Sequence, residues 1–125
     1  MLKIVYSVFL LIHGFAHLVG FLVNWKIIKD KEVTYKTTIF DGKIDIGDLG
    51  TRVLGLIWLL VGVYFGYIGY KSFTNPLLFS DIALYLGILS FGLTFSGWPD
   101  SKFGVIANII LITFLILIKF STLSF

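Results

Sequence analysis

The sequence contains no cysteine, few charged residues and only two histidines, and each scarcity narrows the class of protein. Without cysteine there is no disulfide, no thiolate catalysis and no cysteine-ligated zinc or iron–sulfur centre. Only 14% of the 125 residues are charged, whereas a soluble domain carries about 25%. Because 58% of the residues are hydrophobic, we expect the chain to lie in a lipid bilayer. The formal charge of +3 is spread over the ends of apolar runs, so no nucleic-acid partner is expected.

Four apolar segments have the length of membrane-spanning helices, since ~20 residues at ~1.5 Å per residue cross the hydrocarbon core. They are residues 4–24, 53–70, 77–97 and 104–123. The first segment is too long for a signal peptide and has no small-residue cleavage site after it, so we interpret it as an anchor. Short links between the last three segments favour antiparallel neighbours. We therefore predict an all-α membrane protein, a single domain over residues 1–125 folded as an up-down-up-down bundle.

The loop at residues 25–51 contains a hairpin pattern, TTIF-DG-KIDI. Asp41 and Gly42 suit the positive φ angles of a type I′ turn, and the flanking β-branched residues suit short strands. We predict a short β-hairpin that packs on the bundle or on a partner.

The distribution of basic residues favours placing this loop inside the cell, because Lys and Arg concentrate on the cytoplasmic side. Seven of them lie on the hairpin side and three on the side of the termini. The expected location is the cytoplasmic membrane with the termini outside.

Small residues form a stripe on the second and third segments, which lets helix backbones approach closely in lipid. We expect these stripes to pack the second helix against the third, with a homo-oligomer seam as the alternative. The stripes comprise Gly55, Gly62, Gly66 and Gly69, and Ser80, Ala83, Gly87, Ser90, Thr94 and Gly97.

Ionisable groups within a spanning helix are costly unless paired or solvated, so each one is a candidate functional residue. His13 and His17 lie one turn apart near the middle of the first segment. They are candidates for a metal site, a haem ligand, a proton relay or a polar ligand pocket. The alternative is that they hydrogen-bond across the bundle and hold the first helix in register. A metal site lacks an obvious third ligand, since HGFAH has no glutamate in the position of an HExxH motif.

Two further polar groups are expected. Asp81 and Lys119 lie at equal depth on different helices and are predicted to form a structural ion pair. A second cluster converges with His17 near the hairpin side, where Asp100 is expected to pair with Arg52 or to cap the fourth helix. Its members, the candidate ligand-binding residues together with the histidines, are Asn24, Arg52, Asp100, Lys102 and Asn108.

Three stretches carry a family resemblance: HGFAHLVGF at residues 13–21, TRVLGLIWLL at 51–60 and WPDSKFGVIANIIL at 98–111. They resemble an uncharacterised family of small bacterial four-helix membrane proteins with the patterns HGxxHxxGF, RxxGLxWLL and WxDxKFGxIAN. The overall layout is only loosely similar to the DoxX group, whose members are linked to quinone-coupled oxidation. The resemblance covers the candidate residues above except Asn24 and the ion pair, and it implies no specific activity. The hairpin departs from the family pattern.

These observations leave two hypotheses of different classes. The first is a non-catalytic module, an accessory subunit or a binder of a lipid-like or quinone-like molecule, with its polar site near His17 and Arg52. The second is a membrane oxidoreductase component that binds a metal, a haem or a quinone through His13 and His17. An oligomeric transporter or channel is weaker, because one four-helix chain has little room for a pathway. The expected partners are the lipid bilayer and a larger membrane complex or a second copy of the chain.

Overall fold

The fold was obtained as a computed structural model, which describes residues 1–29, 31, 33–120 and 123–125. Four helices and a two-stranded hairpin follow one another along the chain. They are α1 (Leu2–Asn24), β1 (Thr38–Ile39), β2 (Ile44–Asp45), α2 (Gly47–Ser72), α3 (Pro76–Ser96) and α4 (Lys102–Lys119). Each of these four helices is long and apolar enough to cross a membrane. The predicted fold class, an all-α membrane bundle with a hairpin between the first two helices, is confirmed.

Some helices do not begin or end at the limits of the predicted apolar segments. The second helix begins at Gly47 instead of residue 53, because its first turns extend beyond the apolar region. Asp48 in this first turn complements the positive end of the helix dipole. The fourth helix ends at Lys119 instead of residue 123. The Phe125 ring lies 4.9 Å from that of Tyr6 in α1.

The hairpin forms at the predicted position. Its strands pair antiparallel, with Thr38 opposite Asp45 and Ile39 opposite Ile44. Asp41 and Gly42 have φ angles of 57° and 82°, and both signs are those of a type I′ turn. The hairpin also packs on the bundle, because the Phe40 amide donates a hydrogen bond of 2.8 Å to the carbonyl of Ser96 at the end of α3.

The tightest helix contact joins α1 to α2. A Cβ atom placed on Gly14 would lie 2.7 Å from the Gly62 carbonyl oxygen, and one on Gly62 would lie 2.8 Å from that of Gly14. Gly69 also packs closely, since a Cβ there would lie 3.0 Å from Leu11 Cγ and 3.1 Å from the carbonyl oxygen of Ser7. Such close backbone approach is how helices in lipid gain dispersion energy.

The predicted packing of the two small-residue stripes against each other is therefore wrong. Gly62 and Gly69 of α2 face α1, while Gly87 of α3 faces Leu111 and Ile112 of α4. A stripe shows that a neighbour comes close but not which neighbour it is. Here Gly14 and Ser7 of α1, which the prediction omitted, supply the matching surface.

Candidate functional site

A network of hydrogen-bonded polar side chains lies at the centre of the bundle. One of its members is His17, which is 1% exposed. Its Nδ1 atom lies 2.9 Å from the carbonyl oxygen of His13, and because a carbonyl only accepts, Nδ1 carries the proton. The Nε2 atom of the neutral ring is then an acceptor, and the Ser90 hydroxyl donates to it over 2.7 Å. Both ring nitrogens of His17 are thus occupied, and the bond to Ser90 joins α1 to α3.

His13 continues the network to α4. Its Nε2 atom lies 2.9 Å from Oδ1 of Asn108, an acceptor, so Nε2 carries the proton. Nδ2 of Asn108 donates to the Thr94 hydroxyl over 3.2 Å, and Thr94 lies 3.0 Å from the Ser90 carbonyl, to which its hydroxyl donates. Each side chain of this hydrogen-bond network has a partner, and the one ring nitrogen for which the described residues supply none is Nδ1 of His13.

A cavity of about 240 Å³ lies beside this network, and we name it the histidine cavity. It is bounded by α1, the first turn of α4 and the link between α3 and α4. Small side chains leave the space, since Ala16 and Gly104 face it from α1 and α4. Gly20 makes room for the indole of Trp58, which forms another wall. Its lining residues include His13, His17, Ala16, Trp58, Asp100 and Gly104.

The segment that carries the hairpin covers the end of this cavity. A smaller space of about 70 Å³ lies between the hairpin and the bundle, and it shares Gly20, Trp58 and Asp100 with the histidine cavity. Lys36 forms an ion pair of 2.8 Å with Asp100 across this junction. The Phe40 ring lies 6.1 Å from that of Phe95. The hairpin segment is therefore bound to the α3–α4 end of the bundle, at the end of the histidine cavity.

The structure brings only part of the predicted cluster to this cavity. Asn108 joins the histidines, Asp100 lines the histidine cavity, and Asn24 lines the smaller space. Lys102 lies 5.4 Å from the Phe103 ring and lines neither space.

The predicted pairing of Asp100 with Arg52 is wrong. Asp100 binds Lys36, and Arg52 lies 3.4 Å from Asp48, four residues earlier in the same helix. Arg52 lines neither space, because its side chain extends along the outside of α2. Asp100 does not cap α4 either, since the N-cap residue is Ser101 and no side chain makes a capping hydrogen bond there.

Arg52 belongs instead to an exposed polar group at the start of α2. The indole of Trp25 donates to the carbonyl oxygen of Arg52 over 3.0 Å, and Lys26 lies 3.5 Å from Asp48. The Tyr35 hydroxyl also donates to Asp48. This hydrogen bond to a carboxylate raises the pKa of the Tyr35 phenol. The group fastens the loop to α2 and is separate from the histidine network.

Asp81 and Lys119 are in contact, as the sequence predicts. The Lys119 ammonium lies 2.9 Å from the Asp81 carboxylate and joins the terminal-side ends of α3 and α4. Both side chains are about half exposed or more, at 46% and 63%, so the pair is a surface tie.

The donor set does not fit a metal ion or a haem. Among the residues that the structure describes, no three His, Cys, Asp or Glu side chains come together. His17 already uses both ring nitrogens, and His13 uses Nε2 for Asn108. Within the described residues, only Nδ1 of His13 is free to bind a metal, and a metal there would lack further protein ligands unless His17 gave up its buried hydrogen bonds.

Several residues of the hydrogen-bond network and of the cavity wall were not among the site residues predicted from the sequence. Ser90 and Thr94 were assigned to packing because they lie in a small-residue stripe, although their hydroxyls complete the network. Ala16, Trp58 and Lys36 were not singled out. The sequence feature that could have indicated their role is the polar character of Ser90 and Thr94, which lie one turn apart on α3 at the depth of the histidines.

Comparison with protein-family models, with curated proteins and with solved structures finds no match for this chain. The function is therefore inferred from the geometry of the histidine cavity.

Proposed function

We propose that this chain is a membrane module that binds a lipid-like molecule whose head bears a hydroxyl group, a quinol being the quinone-like example. The head lies in the histidine cavity, and the hydroxyl donates to Nδ1 of His13. The module is non-catalytic by itself and acts as a binder or as an accessory subunit.

The observation that carries this proposal is the Nδ1 atom of His13, which has no hydrogen-bond partner among the described residues and belongs to a residue that lines a cavity. Polar groups within a bundle are normally satisfied, and the other members of the network are. Since Asn108 accepts from Nε2, Nδ1 of the neutral ring is an acceptor, which a carbonyl cannot satisfy but a hydroxyl can. Asp100 and Ser101 also line the cavity and offer partners to a second polar group.

The position of the cavity supports a ligand drawn from the membrane. Its walls come from helices that are apolar enough to span a bilayer, and Ala16 and Phe103 are exposed on their outer faces. The Lys36–Asp100 pair closes the polar end beneath the hairpin. A molecule with a polar head and an apolar body matches this arrangement. Arg52 has no part in this version of the site.

For orientation, we propose that the hairpin end faces the cytoplasm of a bacterial cell, because most lysines and arginines flank that end of the bundle.

The test uses purified protein in detergent with radiolabelled decyl-hydroquinone, and with decyl-quinone as the matched probe without hydroxyls. We expect saturable binding of the hydroquinone and binding weaker by roughly tenfold for the quinone, the worth of one good hydrogen bond in a desolvated site. An Ala16→Phe variant fills the cavity and should lose binding by roughly tenfold or more.

Val63→Phe is the control, because Val63 is exposed on α2 and lines no cavity among those described. It should bind like the unaltered chain. The proposal fails if neither probe binds saturably, or if Ala16→Phe binds as well as Val63→Phe. Stronger binding of the quinone would overturn the hydroxyl assignment, since it would require the Asn108 amide and the His13 proton to be reversed.

A further inference from the structure

The contact between α1 and α4 is more open than those of α1 with α2 and of α3 with α4. α1 packs along its length on α2, and α4 packs on α3, but α1 and α4 touch at few positions. The hydrogen bond from His13 to Asn108 crosses this seam near its middle. Two cavities lie on the same seam, one on each side of that bond.

The second cavity, about 160 Å³, lies toward the chain termini, and we name it the apolar cavity. It is lined by Val5, Tyr6, Phe9, Ile110, Leu111 and Phe114, with Leu2 at its edge. Val5 and Ile110 flank it and are 59% and 57% exposed, so it opens toward the surrounding lipid.

The two cavities share one line along α1. Val5, Phe9, His13 and Ala16 recur every three or four residues and therefore lie on one face of the helix. Phe103, Ile110 and Phe114 continue the facing line on α4. Ala16 and Val5 lie about 16 Å apart along the helix axis at the rise of an α-helix. To reach the apolar cavity, a ligand with its head beside His13 has to run its chain past the His13–Asn108 bond on the lipid side of the seam.

We propose that the seam between α1 and α4 binds the apolar chain of the same ligand, which reaches the histidine cavity sideways from the bilayer. This inference rests on the proposed function and adds that the ligand carries one long hydrocarbon or isoprenoid chain. The head is then selected by hydrogen bonding at His13, and the chain is held by dispersion contacts with aromatic and aliphatic side chains.

The experiment compares decyl-hydroquinone with methyl-hydroquinone, which has the same head and no chain. Two variants fill the apolar cavity from opposite sides, Val5→Trp on α1 and Ile110→Trp on α4. Ile12→Trp is the matched control, since Ile12 is 64% exposed on the same helix as Val5 and lines neither cavity. Comparing variants at one probe cancels the partition of that probe into detergent.

We expect Val5→Trp and Ile110→Trp each to weaken decyl-hydroquinone by roughly tenfold and to leave methyl-hydroquinone unchanged. Ile12→Trp should weaken neither probe. If both cavity-filling variants bind decyl-hydroquinone like the control, the chain does not lie in the seam and this inference is overturned while the head site stands. If neither probe binds the unaltered chain, the proposed function falls and this inference falls with it.

Discussion

The helix α1 has two very different interfaces. Toward α2 it presents Gly14, whose backbone meets Gly62 at a distance that excludes any larger residue. Toward α3 and α4 it presents His13 and His17, which reach their partners through hydrogen bonds and leave a cavity of about 240 Å³ beside them. Close packing fixes the first interface, whereas a few directional bonds fix the second and leave space. The second interface is therefore the one suited to a ligand.

The largest expected effect comes from breaking the close-packed interface. Gly14→Ala places a methyl group against the Gly62 carbonyl, and neither backbone can move without separating the helices. We expect the free energy of unfolding in detergent to fall by about 2 kcal/mol or more.

Gly66→Ala is its control, because a Cβ at Gly66 meets no atom within 4 Å. That variant should unfold like the unaltered chain or be slightly more stable. Equal losses in the two variants would show that the interface does not depend on the contact at Gly14.

A smaller loss of unfolding free energy is expected when the hydrogen bonds at the centre of the polar interface are removed. Asn108→Leu keeps a similar volume but removes the acceptor for His13 and the donor to Thr94. Hydrogen bonds between membrane helices contribute modestly, so we expect a loss of about 1–2 kcal/mol in a denaturant titration. A variant as stable as the unaltered chain would mean that the network does not hold α4 to α1.

Two buried serines offer a sharper comparison. Ser90 and Ser72 are both fully buried, but Ser90 donates to His17 over 2.7 Å, whereas the Ser72 hydroxyl approaches the Tyr6 phenol without a hydrogen bond of normal geometry within the described residues. Ser90→Ala should cost about 1 kcal/mol, and Ser72→Ala should cost nothing or stabilise the fold. The same unfolding titration measures both. A larger loss for Ser72→Ala would contradict this assignment.

The smallest effect on stability is expected at the hairpin. Lys36→Ala removes the ion pair between Lys36 and Asp100, and both side chains of this pair are partly exposed. We therefore expect the free energy of unfolding to fall by less than about 0.5 kcal/mol. Hydrogen exchange at the Phe40 amide should nevertheless accelerate, because the hairpin loses one of its ties to the bundle. Lys43→Ala, in the turn, should leave this exchange unchanged, and equal exchange in both variants would exclude a fastening role for Lys36.

The sequence predicts the fold more completely than the site, for physical reasons. Apolar length determines the four helices almost directly, and Asp41-Gly42 has few backbone alternatives to a tight turn. The ion pair of Asp81 and Lys119 follows from equal depth on two adjacent helices. The partner of Arg52 does not follow, because an exposed long side chain chooses among several nearby carboxylates according to the loop conformation.

The partners of the histidines depend on which helix faces which. The stripe on α2 shows a close neighbour without identifying it, so its assignment to α3 was wrong. With that neighbour uncertain, the polar character of Ser90 and Thr94 does not by itself identify His17 and Asn108 as their partners. The cavity is harder still to predict, since it arises from Ala16, Gly20 and Gly104, whose small side chains leave space that the sequence alone does not reveal.

The most direct test of this account is a nitrogen NMR spectrum of protein labelled with ¹⁵N-histidine, which is simple because the chain has two histidines. We predict opposite tautomers, with the proton on Nε2 of His13 and on Nδ1 of His17. Decyl-hydroquinone should shift the Nδ1 resonance of His13 and leave His17 unchanged. A proton on Nδ1 of His13, or a spectrum unaffected by saturating probe, would contradict the proposed site.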